Sequence, residues 1–268
     1  MNHLIDMHAH TDFSPDAYRD ATMASHVAHA RRHGYPGVMF TDHVDLLSPI
    51  DIFQELIDFD VYERTLDETR RSAGIPVLFG VEIGYQPFLH QAYDDLLASR
   101  PFDFVICSLH VADGLDFYNG DFFKGKTKDQ AYRRYFEAML EAVTAYDNYD
   151  VIGHLDFITR YGNHPDKGYA YSTYQDLLDP ILSTIIAKGK GIELNTSGIR
   201  YGLPFMHPVF EILIRYRELG GTLITLGSDA HSVKDQHAGF DQAREHLLMA
   251  GFDKVAVFEK RAPRFISI

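Results

Sequence analysis

Histidine and acidic residues occur along the chain in short motifs whose side chains could bind metal ions. The first motif is His8-Ala9-His10 and the last is Asp229-Ala230-His231. Residues i and i+2 of a strand point to the same side, so the two outer residues of each motif can bind one cluster together. Further potential ligands lie between these motifs, namely Asp16, His43, Glu82, His110 and His154.

The types and number of these side chains indicate which ions they would bind. Imidazole and carboxylate groups without thiolates suit Zn, Fe or Mn, and a single ion takes only about four to six ligands. The set is too large for one ion, so we expect two or three divalent metal ions. Bound cations would also make the site positive, and a phosphate group is a suitable ligand for such a site.

The elements that must position these residues are predicted from the apolar pattern. Short apolar runs alternate with longer amphipathic segments, which is typical of βα units around a parallel sheet. We expect strands over residues 4–8, 38–41, 77–82, 104–107, 151–153, 191–194 and 222–226, and helices over residues 22–33, 53–72, 88–98, 128–146, 173–188, 208–219 and 235–250. These seven units indicate an α/β fold with a closed or nearly closed barrel. Residues 255–258 could add a short strand, and residues 261–268 are predicted to form a tail.

The potential ligands fall at the carboxyl ends of the predicted strands. In a parallel barrel these ends share one face, where active sites are built. The residues at strand ends are His8, His10, His43, Glu82, His110, His154, Asp229 and His231, and Asp16 lies in the loop after the first strand. Topology alone therefore predicts that they converge. His26, His29 and His33 have helical spacing, but the arginines among them favour a solvated helix face.

Composition limits the class of protein. The 268 residues carry a net charge of −13, which argues against general binding of nucleic acid through a basic surface. The single cysteine cannot form an internal disulfide, and no continuous apolar span is long enough for a membrane. No linker-like segment divides the chain. We expect one domain over residues 1–268, a cytoplasmic location and neither a nucleic-acid nor a membrane partner, while the oligomeric state stays open.

The ordered motifs resemble those of the polymerase-and-histidinol-phosphatase (PHP) metal hydrolases over essentially the whole chain. They are Asp6-Met7-His8-Ala9-His10-Thr11, Thr41-Asp42-His43, Gly80-Val81-Glu82-Ile83-Gly84, Ser108-Leu109-His110, Gly153-His154-Leu155-Asp156 and Gly227-Ser228-Asp229-Ala230-His231. The resemblance implies a distorted seven-stranded (βα) barrel of the PHP type with a trinuclear site. One metal would be held by His8, His10, Glu82 and Asp229, a second by Glu82, His110 and His154, and the third by Asp16, His43 and His231.

Within the family, other segments are similar to those of the monofunctional histidinol-phosphatases. The segments that carry this likeness are Gly84-Tyr85, residues 116–126, residues 156–162 and residues 193–200. The likeness implies hydrolysis of L-histidinol phosphate to L-histidinol and phosphate in histidine biosynthesis. A hydroxide activated by the metals would attack phosphorus.

The resemblance and the loop positions also suggest which residues would contact the substrate. Arg160 and Arg200 follow the fifth and sixth strands and can offer planar guanidinium groups to phosphate. Asp42 and Asp156 are candidates for the general acid that protonates the leaving oxygen. Acidic and aromatic partners for the ammonium and imidazole groups are predicted at Asp113, Asp116, Tyr118 and Tyr161.

Several other functions use similar residues. A PHP exonuclease or phosphodiesterase would need a basic groove, and another small phosphomonoester could be the substrate. An amidohydrolase would place a carboxylated lysine after the fourth strand, where this chain has Ser108-Leu109-His110. A scaffold that binds metal without catalysis is the alternative of another class, and the complete set of ligands argues against it.

Overall fold

A curled parallel sheet forms the centre of the fold in the computed structural model, which describes residues 3–54, 56–162 and 164–268. The strands are β1 (Val38–Phe40), β2 (His43–Val44), β3 (Val77–Gly84), β4 (Phe104–Ser108), β5 (Val111–Ala112), β6 (Leu115–Asp116), β7 (Val151–Ile152), β8 (Gly191–Asn195), β9 (Ile224–Gly227), β10 (Lys254–Glu259) and β11 (Ala262–Ser267). The parallel order is β1-β3-β4-β7-β8-β9, and β2 also pairs with β3. β1 and β2 both pair with β3, and they thus form one strand of the sheet with an interruption between them.

The segment over residues 4–10 closes the curl between β9 and β1. Met7 donates its N–H to the carbonyl of Leu226, and Ala9 forms a parallel bridge with Ala230. On the other side, the Ala9 carbonyl accepts from the Thr41 N–H, but the Ala9 N–H donates to the Thr41 hydroxyl. Because a side chain replaces a backbone acceptor here, the predicted first strand is extended but does not form a regular ladder of backbone hydrogen bonds. It completes a distorted barrel with seven strand positions, as predicted.

Helices cover the outside of the sheet and pack their apolar faces against it. They are α1 (Met23–His33), α2 (Phe59–Ala73), α3 (His90–Ser99), α4 (Lys128–Ala145), α5 (Gln175–Ala187), α6 (Ser197–Arg200), α7 (Phe210–Glu218) and α8 (Phe240–Met249). The Thr22 side chain caps α1, and Thr127 with Gln130 forms a capping box that starts α4. Apart from the short α6, each helix matches a predicted segment, with ends that differ by several residues.

The prediction for the C-terminal residues is wrong, because residues 262–267 form a strand rather than part of a tail. β11 pairs antiparallel with β10 along six residue pairs. Phe258 of β10 stacks on Phe104 of β4 at 4.9 Å, and Ala256 and Val257 belong to the same buried cluster inside the barrel. The hairpin therefore fills the end of the barrel opposite the strand ends that carry the predicted ligands.

The prediction of a solvated face on α1 is also wrong at His26. His26 was predicted on a solvated face, but its side chain is fully buried and meets the edge of the Phe40 ring. It shares its face of α1 with Met23, Val27 and Ala30, which are buried as well. Within the described residues, no helix has the length and apolar character that crossing a membrane would need.

Candidate metal centre and active site

Glu82 lies at the centre of the converging side chains, near the end of β3, and is fully buried. Its Oε1 is 2.9 Å from Nε2 of His154 and accepts a 2.6 Å hydrogen bond from the Ser108 hydroxyl. Its Oε2 is 2.9 Å from Nδ1 of His43 and 3.4 Å from Nε2 of His8. Since the two oxygens face different histidines, this carboxylate can bridge two ions.

The first and last motifs meet beside Glu82. The Nε2 atoms of His8 and His10 are 3.1 Å apart, and Oδ1 of Asp229 lies 3.4 Å from the His10 nitrogen. Asp229 has a φ of +54° and His154 a φ of +22°. A left-handed backbone is unusual for residues other than glycine and is concentrated at functional sites.

The remaining predicted ligands lie on the side of the cluster that faces solvent. Oδ2 of Asp16 is 3.1 Å from Nε2 of His231 and 3.7 Å from Nε2 of His43. The His10 ring stacks on both of these imidazoles with centroid distances of 4.1 Å. Asp16, with a side chain 34% exposed, is the most open of these groups.

The donor set fits divalent metal ions. Three groups of potential ligand atoms each lie within 4.8 Å of one another; they are His8, His10 and Glu82, then His10, His43 and His231, and then His43, Glu82 and His110. Oε2 of Glu82 and Nδ1 of His43 are both buried and lie 2.9 Å apart without the geometry of a hydrogen bond, as two ligand atoms facing one cation would. Compared with the predicted ligand sets, His43 takes part in two groups rather than one.

The pKa shifts show that the cluster is strongly coupled. Burial would raise the pKa of Glu82, but the imidazoles of His8, His43 and His110 hold it well below its usual value. For His10 the pKa falls, because burial is reinforced by the neighbouring His231 and His43. Glu82 therefore stays ionised and His10 stays neutral in a buried place, and these are the protonation states needed to bind a cation.

Residues that the sequence interpretation missed fix the outer nitrogens of the histidine rings. Nδ1 of His8 is 2.7 Å from Glu193, and Nδ1 of His110 is 2.7 Å from Asp45. Nδ1 of His10 lies 3.1 Å from the Ser14 hydroxyl. These contacts leave the Nε2 atoms directed at the cluster. Sequence patterns could have suggested Glu193, because it precedes the end of β8 as Glu82 precedes the end of β3.

A cavity of about 530 Å³ opens above the cluster. Its polar floor is formed by Asp16, His43, His110, His154, Asp229 and His231. Its walls are largely aromatic and include Tyr18, Phe53, Tyr118, Phe157, Tyr161 and Tyr201. The volume suits a small organic molecule, and the floor suits an anion bound through metal ions.

Arg160 lines this cavity. Its guanidinium lies between two rings, 4.5 Å from the centre of Phe157 and 4.2 Å from that of Tyr201. Nη2 donates to the Ser197 hydroxyl and to Oδ2 of Asp229, 3.1 Å away. The cation is therefore held beside the predicted ligands and can offer its remaining donors to an anion.

Arg200 has a different place from the one expected. Its Nη2 donates to the backbone carbonyls of Ser228, at 3.0 Å, and Asp229, at 2.6 Å. In the part of the chain that the structure describes, Arg200 does not line the cavity. Because its side chain turns to the backbone of the last motif, we assign it a structural role and correct the expected phosphate contact.

Asp42 is not placed to act as a general acid. Its two oxygens accept hydrogen bonds from the Thr11 backbone at 2.6 Å, the Ser14 hydroxyl at 2.7 Å and the Tyr62 hydroxyl at 2.8 Å. The side chain is 2% exposed and is not among the described residues that line the cavity. It supports the loop after the first motif instead.

The second acid candidate, Asp156, is also directed away from the cavity. It is fully buried and accepts from Nδ1 of His207 at 2.7 Å, from the Val209 N–H at 2.9 Å and from the Tyr169 hydroxyl at 2.9 Å. A carboxylate with these partners has no path to a leaving group in the cavity. The motif that contains it contributes His154 to the site and Asp156 to the core.

The predicted substrate contacts divide into two groups. Asp116, Tyr118 and Tyr161 line the cavity, and their contact with a substrate stays a prediction. Asp113 lies outside it and forms a bidentate pair with Arg134 on the surface, so its expected contact is corrected. The aromatic walls at Phe53 and Tyr201 were missed, because nothing in the spacing of single aromatic residues distinguishes a pocket from a core.

Comparisons with known proteins agree with the fold. The PHP domain model matches residues 6–197. A histidinol-phosphatase from Lactococcus lactis is 33% identical over 95% of this chain and 94% of its own. The crystal structure of the Lactococcus lactis histidinol phosphate phosphatase with zinc, L-histidinol and phosphate has a TM-score of 0.84 and 30% identity, and covers 97% of this chain and 98% of that one. The chain belongs to the PHP family.

Proposed function

We propose that this protein is a histidinol-phosphatase, a metal-dependent phosphoric monoester hydrolase that converts L-histidinol phosphate to L-histidinol and phosphate. The observation that carries the proposal is a set of histidine and carboxylate ligands forming the floor of a cavity that also contains Arg160. The relatives with this name match nearly the full length of the chain. Histidine biosynthesis is the pathway that the name implies.

The nine predicted ligands would hold two or three divalent ions such as zinc, iron or manganese. When bound, these ions supply Lewis-acid activation of water and neutralise charge on the phosphoryl oxygens. Glu82 would hold ions through both of its oxygens, because each oxygen faces a separate histidine at 2.9 Å. One oxygen of Asp229 faces Nε2 of His10 at 3.4 Å and the other accepts from Arg160 at 3.1 Å, which would place the arginine beside the ions.

Arg160 orients the phosphoryl group in this proposal. Its position between Phe157 and Tyr201 removes much of its freedom, so little entropy is lost when it binds an anion. The charge stays in place as the ester bond breaks. A preorganised cation of this kind stabilises the negative oxygens of the transition state.

The other end of the substrate would contact Asp116, Tyr118 and Tyr161. Both backbone hydrogen bonds to Asp116, from Tyr118 and Asn119, go to Oδ1, so they leave Oδ2 for a ligand ammonium group. Burial raises the pKa of Asp116, and a cationic ligand would restore its charge. The two tyrosine rings, at 6.1 Å with edge-on geometry, offer faces for an imidazole.

The proposal is tested by steady-state hydrolysis with metal-loaded protein. We expect kcat/KM for L-histidinol phosphate to exceed that for glycerol phosphate and for an aryl phosphodiester by about 100-fold or more, because each lacks contacts worth several kcal/mol. Similar values for both monoesters would remove the substrate assignment and leave a general phosphomonoesterase. A preference for the diester would instead favour a phosphodiesterase.

A further inference from the structure

Glu193 lies on β8 beneath the metal centre and is fully buried. We propose that Glu193 is a positioning residue for the metal centre, which fixes the ring of His8 and the backbone of His154 at the same time. The inference rests on the metal-dependent function proposed above. Glu193 does not line the substrate cavity within the described residues, so it would act only through these two ligands.

The contact with His8 determines which nitrogen of that ring can bind an ion. Oε1 of Glu193 is 2.7 Å from Nδ1 of His8. An ionised carboxylate can only accept, so Nδ1 must carry the proton. Nε2 is then left with its lone pair, and this atom faces Nε2 of His10 at 3.1 Å and Oε2 of Glu82 at 3.4 Å. Carboxylate partners of this kind also raise the basicity of a ligating imidazole.

The second carboxylate oxygen of Glu193 contacts His154, which follows β7. Oε2 of Glu193 accepts the backbone N–H of His154 at 3.0 Å and the side-chain amide of Asn195 at 3.0 Å. His154 has a φ of +22°, which is costly for a residue with a side chain. A hydrogen bond to its N–H helps to hold this backbone and therefore directs the ring towards Glu82, 2.9 Å from Nε2.

The neighbouring strands leave space for this carboxylate. A Cβ atom added at Gly227 of β9 would overlap Oε1 of Glu193. A Cβ atom at Gly153, directly before His154, would overlap the Ser108 hydroxyl and approach Oε2 of Glu193 to 3.7 Å. Because these two glycines beside β8 have no Cβ atom, the Glu193 carboxylate can lie close to the backbone on both sides.

The charge of Glu193 has one ion-pair partner among the described residues, which is His8. A buried carboxylate is expensive unless it is paired and hydrogen-bonded. Because His8 is this partner, a cation bound at Nε2 of His8 would stabilise the Glu193 carboxylate. Metal affinity should therefore depend on Glu193 although it is not a predicted ligand.

The test is metal binding by E193Q, measured without substrate. Glutamine has the same shape, but it cannot accept from both His8 and His154 with two equivalent oxygens. Titration of the metal-free protein with zinc against a competing chelator should show affinity weakened about 10- to 100-fold for at least one ion. The matched control is D103N, since Asp103 is a buried carboxylate that binds the Phe79 and Lys260 N–H groups near the hairpin. D103N should keep wild-type metal affinity.

Wild-type affinity and stoichiometry in E193Q would overturn the proposal. A second measurement does not depend on the variant folding: in zinc-loaded wild-type protein with nitrogen-15-labelled histidine, His8 should have a protonated Nδ1 with a strongly downfield proton. A His8 protonated at Nε2 would also overturn it. Neither result depends on which phosphate ester is hydrolysed, so failure of the substrate assignment is seen separately.

Discussion

The central guanidinium carbon of Arg160 lies over the ring of Tyr201, 4.2 Å from the ring centre. Tyr201 itself is 51% exposed at the cavity wall. Its ring, rather than its hydroxyl, makes this contact. The arginine therefore depends on an aromatic residue for its orientation.

Replacing Tyr201 with alanine should weaken phosphate binding. A cation–π contact at a partly exposed site contributes about 0.5–1 kcal/mol, so the inhibition constant for inorganic phosphate should rise about 2- to 5-fold. Y201F keeps the ring and should behave like the wild type. Equal losses in both variants would show that the hydroxyl, and not the stacking, is responsible.

Replacing Arg160 with alanine should have a larger effect. A hydrogen-bonded charge is worth about 1.5–3 kcal/mol, which corresponds to a fall in kcat/KM of about 10- to 100-fold. R134A is the control, because Arg134 pairs with Asp113 and Glu141 on the surface. Steady-state kinetics of the two variants would contradict the role of Arg160 if they gave the same values.

R200A should reduce stability and leave KM unchanged. The variant removes two donors from the carbonyls of Ser228 and Asp229, so we expect the free energy of unfolding to fall by about 1–3 kcal/mol. Denaturant unfolding and substrate saturation curves measure the two effects separately. A raised KM with unchanged stability would restore Arg200 as a phosphate contact.

D229N should lower bound metal and activity together. Asparagine tolerates the left-handed backbone found at residue 229, so the fold should be retained, but the charge that faces His10 is lost. We expect metal affinity to fall at least about 100-fold, as elemental analysis after dialysis would show. Full activity with normal metal content would contradict the proposed ligation.

Metal binding should release protons at neutral pH. Burial lowers the pKa of His110, but Asp45 and Glu82 outweigh it and raise this pKa to about 10 in the metal-free site. His110 therefore holds a proton at pH 7 that a metal ion must displace, and affinity should rise with pH. The same shift stabilises the metal-free fold below pH about 6.5, and this contribution is lost as pH rises through about 10.

Calorimetric titration in buffers of different ionisation enthalpy measures this proton release. H110N is a suitable comparison, because asparagine does not titrate in this range. An observed enthalpy independent of the buffer would contradict the shifted pKa. So would a metal-free protein whose melting temperature does not decrease between neutral and alkaline pH.

The strand ends that carry ligands were predictable, because alternation of apolar runs and helices fixes both the strands and the face they share. His43, Glu82 and His154 follow from this rule alone. The contacts of the loop arginines could not be predicted in this way, since Arg160 and Arg200 have similar sequence contexts. Only the structure shows that one stacks in the cavity and the other bonds backbone carbonyls.

The directions of two buried acidic side chains were also not predictable from the sequence. Asp42 and Asp156 stand next to predicted ligands, but each side chain turns into the core, where hydroxyl, backbone and imidazole donors surround it. The direction of a side chain depends on local dihedral angles, and the spacing of residues in the sequence does not reveal these angles. The C-terminal strand was missed for a related reason: β11 is mostly exposed, so its residues lack the alternation that marks a half-buried strand.

The bridge between Ala9 and Ala230 joins segments that are far apart in the sequence. Closing so long a loop costs conformational entropy, and contacts this distant in sequence slow folding. The motifs on either side of the bridge supply His8, His10, Asp229 and His231. Ions held by both motifs would act on the barrel as a cross-link does, offsetting the entropy of closure without any covalent bond.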